Sequence, residues 1–107
     1  MRSYDDILKD ICIAFDSDTE SFLNRGEKRV NEHMSLINQA FILVAMKTFC
    51  TNLSIIARYL KRSPASVSIA YQKAQMLLCS SNPYAINFKE RIRNSCEEGK
   101  KVIEENA

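Results

Sequence analysis

Residues 52–79 decide the fold, and they read NLSIIARYLKRSPASVSIAYQKAQMLLC. The apolar positions of the first part recur at helical spacing, which predicts a short helix of about eight residues over 53–60. Ser63-Pro64 then predicts the start of a second helix. A serine side chain accepts a backbone N–H there, and proline at the first helical position loses no hydrogen bond. We expect this second helix to reach about Cys79, with Lys61, Arg62 and Ser63 as the turn between the two.

The second helix has two different faces when it is projected at about 100° per residue. Its predicted packing face contains Val67, Ala70, Tyr71, Ala74 and Leu78. The opposite face contains Ala65, Ile69, Gln72 and Met76. Ser66, Lys73 and the preceding Arg62 flank one side of that face, and Ser68 flanks the other. The outer face is therefore small, hydroxylated and amide-bearing, with cations at its margin.

The remaining segments also predict helices. Ser3 followed by two aspartates is a helix start, and Asn82-Pro83 repeats the signal of Ser63-Pro64. Residues 19–23 predict a short helix, and residues 35–49 predict a long helix that is apolar nearly all round and hence central and buried. We expect an all-α, five- to six-helix bundle that contains a helix-turn-helix. It occupies residues 1–96, and residues 97–107 follow as a charged tail or a helix extension.

Composition excludes several classes of protein. Two glycines and two prolines in 107 residues are too few for the turns of a sandwich or barrel. They are also too few for a glycine-rich phosphate cradle, so no nucleotide is expected. One histidine and the lack of a glycine-rich loop leave no candidate catalytic set, so an enzyme is not expected. No other cofactor is expected either.

The four cysteines, Cys12, Cys50, Cys79 and Cys96, form no close pair, which argues against a zinc site. No metal is therefore expected. The start of the chain does not resemble a signal peptide. We expect reduced, buried cysteines in a cytoplasmic protein. No apolar stretch is long enough to span a bilayer, so no membrane partner is expected.

Positive charge is concentrated in the middle of the chain. Residues 1–21 carry two basic and six acidic side chains, a net of −4, whereas residues 22–76 carry eight basic and two acidic ones, a net of +6. No acid lies between Asn52 and Lys89, where four bases do. A concentrated positive field suits a polyanion, although a solvated basic surface is an equal alternative from charge alone.

The helix–turn–helix spacing places a second helix in the major groove of DNA, although such pairs also occur as pure architecture. Lys61 and Arg62 would meet phosphates at the turn, and Ser63 with the first free N–H groups could bind another. Ser66 and Ser68 are small enough to allow close approach, and Gln72 could pair with adenine. Ala65 and Ile69 could touch thymine methyls, and Lys73 a phosphate. The alternatives are solvent exposure for the serines and for Lys73, and burial against another helix or subunit for Ile69.

A second basic segment lies at residues 24–31. It contains Arg25, Lys28 and Arg29 together with Gly26, and we interpret it as a basic loop. These three side chains would approach the DNA backbone or the adjacent minor groove. A plain solvated connection is the alternative.

Residues 7–93 resemble the C-terminal DNA-binding domain of the bacterial replication initiator DnaA, which has a Trp-repressor-like fold. The order of parts agrees, and the family signature R-D-H-T-T-V-x-x-A aligns with residues 62–70, RSPASVSIA. Arg62, Val67 and Ala70 match, and Ser66 replaces the second threonine. Ser63, Pro64 and Ala65 stand where the family reads bases. The resemblance therefore implies the fold and duplex binding by a free-standing relative, but not the family's target sequence.

Two functions are carried forward. The first is a protein that binds double-stranded DNA through the helix at 64–79, as a regulator of replication or of transcription, either alone or as a homodimer. The alternative is a helical protein–protein interaction module that has lost DNA binding, which the replaced segment 63–65 and the outward Ile69 and Met76 favour.

Overall fold

The fold is all-helical. The computed structural model describes residues 3–17, 19–24, 32–49 and 51–105. Within these ranges the chain forms seven helices and no strand, in the order α1 (Tyr4–Ala14), α2 (Thr19–Asn24), α3 (Glu32–Phe49), α4 (Leu53–Leu60), α5 (Pro64–Cys79), α6 (Pro83–Ser95) and α7 (Glu97–Glu105). The all-α prediction is confirmed.

Helix α3 is the centre of the molecule. It packs against α1, α4, α5, α6 and α7, and its residues from Ala40 to Ala45 are fully buried or nearly so. A helix whose circumference is almost entirely apolar has no face to offer to water. The prediction of a buried central helix is confirmed, with a start at Glu32 rather than at Ser35.

Side-chain caps fix where four of the helices begin. Ser3 and Asp6 form a reciprocal capping box at α1, in which the Asp6 N–H donates to Ser3 Oγ at 3.3 Å and the Ser3 N–H donates to Asp6 Oδ2 at 3.0 Å. Asn52, Ser63 and Asn82 accept the backbone N–H three residues ahead, at 3.0, 3.2 and 2.8 Å. The predicted starts of α1, α4, α5 and α6 are therefore confirmed.

The C-terminal segment differs from the expectation of a charged tail or an extension of the preceding helix. Cys96 has an extended backbone (φ −166°, ψ 168°), which ends α6. α7 then turns back onto α6 and α3 and buries Gly99, Val102 and Ile103. Gly99 allows this approach because a Cβ there would overlap the Ile92 carbonyl oxygen. The helix count exceeds the expected five to six because this segment forms a helix of its own.

The expectation of buried cysteines holds for Cys12 only. Among the other described cysteines, Cys79 is exposed and Cys96 is half-buried. Cys50 lies outside the described residues. None of the helices in the described ranges is long and apolar enough to cross a membrane.

Candidate nucleic-acid interface

The turn between α4 and α5 has a defined backbone. Lys61 adopts the left-handed conformation, with φ 58° and ψ 45°. This conformation lets the Arg62 N–H donate to the Ala57 carbonyl at 3.0 Å and the Lys61 N–H donate to the Arg58 carbonyl at 3.3 Å. Both bonds satisfy carbonyls at the end of α4, as in the common C-terminal capping motifs. The three residues Lys61, Arg62 and Ser63 thus form a fixed corner.

Helix α5 buries the face that the sequence predicts. Val67 and Ala74 are fully buried, Ala70 and Leu78 nearly so, and Tyr71 is half-buried. The neighbours of this face are α3, α4 and α6. These contacts hold the helix on the bundle by one side and leave the other side free.

The opposite face of α5 is open to solvent. Ile69 is 55% exposed and Met76 is 72% exposed. Residues 63–66, Gln72 and Lys73 are also exposed, as is Lys61 in the turn, whereas Arg62 and Ser68 are half-buried. The described residues do not bury Ile69 against another helix of the same molecule.

The start of α5 offers fewer backbone donors than a typical helix N-terminus. Pro64 has no N–H, and the Ser66 N–H donates to Ser63 Oγ. The Ser63 hydroxyl in turn donates to Ser66 Oγ at 2.8 Å. The Ala65 N–H is the remaining donor of this turn. An anion at this point would depend on side-chain cations more than on the backbone.

Arg62 makes an aromatic contact that the sequence did not predict. Its guanidinium carbon lies 5.5 Å from the centroid of the Phe22 ring, and Phe22 is buried on α2. The predicted basic loop that contains Arg25, Lys28 and Arg29 lies outside the described residues.

Arg58 is a further exposed basic residue, for which the sequence analysis predicts no DNA contact. It lies on the outer side of α4, away from the buried Ile56, Ala57 and Leu60. A position that is exposed on the first helix, next to a turn with two more bases, could have been identified from the helical projection alone.

One carboxylate comes close to α4 through the fold. The Tyr59 hydroxyl donates a hydrogen bond to Asp5 on α1. Burial, the hydrogen bond to Asp5 and the negative charge of Asp5 together raise the pKa of Tyr59 well above its usual value of 10.0. The fold therefore places an acidic side chain beside Tyr59 on α4, the helix that precedes the turn.

Two other bases have structural partners. Lys89 donates to the carbonyl of Ser80 at 2.7 Å and to that of Leu78 at 3.4 Å, which caps the end of α5. Arg91 donates to the Ala14 carbonyl at 3.2 Å and lies over the Phe15 ring. Because Lys89 and Arg91 make these structural contacts, the positive charge near the outer face of α5 comes from the basic residues of 58–73.

The described residues show no other group of side chains that forms an equally well-defined candidate binding site. An open cleft of about 590 Å³ lies between the end of α3 and α7, and its ionisable lining consists of three lysines and four glutamates. In the described part of the chain, no three residues among His, Cys, Asp and Glu lie together as metal ligands would.

Comparison with known proteins adds no relative. No protein-family model, no curated protein and no solved structure matches this chain.

Proposed function

We propose that the protein binds double-stranded DNA, with α4 and α5 acting as a helix-turn-helix and the outer face of α5 entering the major groove. The observation that carries this proposal is the exposure of that face, with Lys61 and Lys73 at its margins, while the opposite face is buried. The major groove, about 12 Å wide, admits an α-helix. Ala65, Ser66 and Gln72 are small or amide-bearing side chains on the exposed face of α5.

Each side chain of the interface has a proposed role that follows from its chemistry. Lys61 and Lys73 would neutralise phosphates, and Arg58 lies near enough to the turn to reach the same strand. Gln72 would pair with adenine through two hydrogen bonds, and Ile69 and Ala65 would contact thymine methyls. Ser66 and Ser68 would allow the helix to approach the base edges.

The basic segment of residues 24–31 would supply the second contact. The Phe22–Arg62 contact joins α2 to the turn, and we propose that the bases following α2 in the sequence contact phosphates or the minor groove. The resemblance to the DnaA DNA-binding domain supports the same arrangement. We therefore propose that the protein is a cytoplasmic regulator of replication or transcription. In this role it is not an enzyme and needs no nucleotide or cofactor.

The test is binding to a random duplex pool followed by a salt series on the selected sequence. K here is the association constant of the protein for DNA. Each cation that neutralises a phosphate contributes about 0.9 to the magnitude of the slope of log K against the logarithm of the salt concentration. We expect Lys73→Ala to reduce the slope by about that amount. Lys100→Ala is the matched control, because it removes an exposed lysine from α7; its slope should equal that of the wild type. Equal slopes for both variants would contradict the placement of Lys73.

A protein–protein interaction module is the second candidate, and the exposure of Ile69 and Met76 favours it. Large exposed apolar side chains on one helix face are typical of docking surfaces. In that case the chain would bind no duplex in the pool. Its complex with a protein partner would resist salt and be weakened by Ile69→Asp.

A further inference from the structure

Among the described residues, two arginines lie over buried phenylalanine rings at the same distance. Arg62 lies over Phe22 and Arg91 lies over Phe15, each with its guanidinium carbon 5.5 Å from the ring centroid. Both rings are 1% exposed. A cation over an aromatic face is attracted by the negative face of the ring, and a guanidinium also stacks on it. The two pairs differ in where they lie in the molecule.

The Arg62–Phe22 pair joins the turn of residues 61–63 to α2. Among the other helices α2 packs chiefly on α1, so this stack is a direct link between α2 and the turn. On one side of the stack stands Lys61, in its left-handed conformation. On the other side α2 ends at Asn24, and the basic segment follows. The pair therefore connects the turn that carries Lys61 to α2.

We propose that Arg62 is a positioning residue for DNA binding rather than a phosphate ligand. Its stack on Phe22 holds the turn against α2, so that Lys61 and the start of α5 are presented to the duplex in one fixed orientation. This inference rests on the proposed function. A stacked and half-buried guanidinium is directed at the protein, whereas the exposed Lys61 and Lys73 are directed at the solvent.

Positioning and phosphate binding have different signatures in a salt series. Loss of a phosphate ligand lowers the slope of log K against log salt, because one fewer counterion is released. Loss of preorganisation lowers K by the same factor at every salt concentration and leaves the slope unchanged. The stack is worth enough to lower K about two- to fivefold at a half-exposed site.

The experiment compares Arg62→Ala, Phe22→Leu and the double variant with the wild type on the selected duplex. Phe22→Leu keeps the Arg62 charge and removes the ring. We expect both single variants to lower K about two- to fivefold with the wild-type slope. The double variant should bind no more weakly than Arg62→Ala, because both substitutions remove one interaction. Phe15→Leu is the matched control: it removes the ring under Arg91 and should leave K unchanged.

The outcomes separate this inference from the proposed function. A wild type that binds no duplex overturns both. If the wild type binds, a slope reduced by about 0.9 in Arg62→Ala, or full affinity in Phe22→Leu, overturns the positioning role alone. Should Phe22→Leu fail to fold, as circular dichroism would show, the slope of Arg62→Ala decides by itself.

Discussion

Lys61 occupies a backbone conformation that ordinarily belongs to glycine. A non-glycine residue in the left-handed region is destabilised by about 1–2 kcal/mol, and Lys61 has φ 58°. Asp16, after the end of α1, has the same φ. At both positions the conformation closes a helix end. At Lys61 it also precedes the helix that we propose enters the groove, where the lysine would supply a phosphate contact that glycine could not.

Replacement of Lys61 by glycine should therefore separate stability from binding. We expect Lys61→Gly to raise the free energy of unfolding by about 0.5–1 kcal/mol, after the larger entropy of glycine in the unfolded chain is included. The same variant should bind DNA more weakly, with a smaller salt slope. Urea unfolding and fluorescence anisotropy measure the two quantities. Asp16→Gly is the control for the backbone effect. It also removes the exposed ion pair between Asp16 and Arg91, whose atoms are 3.6 Å apart, so its gain in stability should be smaller, and it should not weaken DNA binding. A Lys61→Gly variant that binds like the wild type would contradict the role of Lys61.

Tyr59 makes the protein sensitive to alkaline pH. Burial and Asp5 raise the pKa of Tyr59 in the folded chain. The unfolded chain therefore loses the phenolic proton first as the pH rises above about 10. Below that pH both states keep the proton and the contribution to stability is complete; above it the free energy of unfolding falls.

Tyr59→Phe should flatten this alkaline dependence. The fall in the free energy of unfolding above pH 10 should be smaller by up to about 1.4 kcal/mol per pH unit. Asp5→Asn removes the charge but not the burial, so it should flatten the dependence only in part. Urea midpoints between pH 9 and 11 provide the measurement, and a Tyr59→Phe profile parallel to that of the wild type would contradict the assignment.

At the scale of elements, the sequence predicts helices whose ends have local causes. The bounds of α4 and α5 follow from Asn52, Ser63 and Pro64, because side-chain caps and proline act within one turn. The packing face of α5 follows from its periodicity. By contrast, α7 depends on the fit of Gly99 against Ile92, a contact between two helices that leaves no trace in helical spacing.

The α6–α7 contact is sensitive to the size of one side chain. Alanine usually favours a helix over glycine, yet a Cβ on Gly99 would overlap the Ile92 carbonyl oxygen and lie 2.9 Å from Ser95 Oγ. We expect Gly99→Ala to lower the free energy of unfolding by about 1–3 kcal/mol, as overpacking does. Lys100→Ala, on the same helix but exposed, should change it by less than about 0.5 kcal/mol. Thermal unfolding of the three proteins tests this, and a stabilised Gly99→Ala would show that α7 does not pack closely.

At the scale of the whole molecule, the charge of the chain is divided between two regions. The acidic first 21 residues include α1, whereas the exposed bases of α4 and α5 surround the turn. The concentration of bases is visible in the sequence. The stack of Arg62 on Phe22 and the bond between Tyr59 and Asp5 are not, because they join residues far apart in the chain. The sequence alone therefore does not distinguish a basic side chain that would contact a phosphate from one that would position the turn.

The most direct test of duplex binding by the outer face of α5 is a salt series with wild type, Lys61→Ala/Lys73→Ala and Lys100→Ala/Lys101→Ala. Each double variant removes two exposed lysines, so net charge is matched. The first should lose about 1.8 from the slope of log K against log salt, at about 0.9 per phosphate contact. The second should match the wild type. Equal slopes in all three proteins, or a wild type that binds no duplex, would contradict the proposed function.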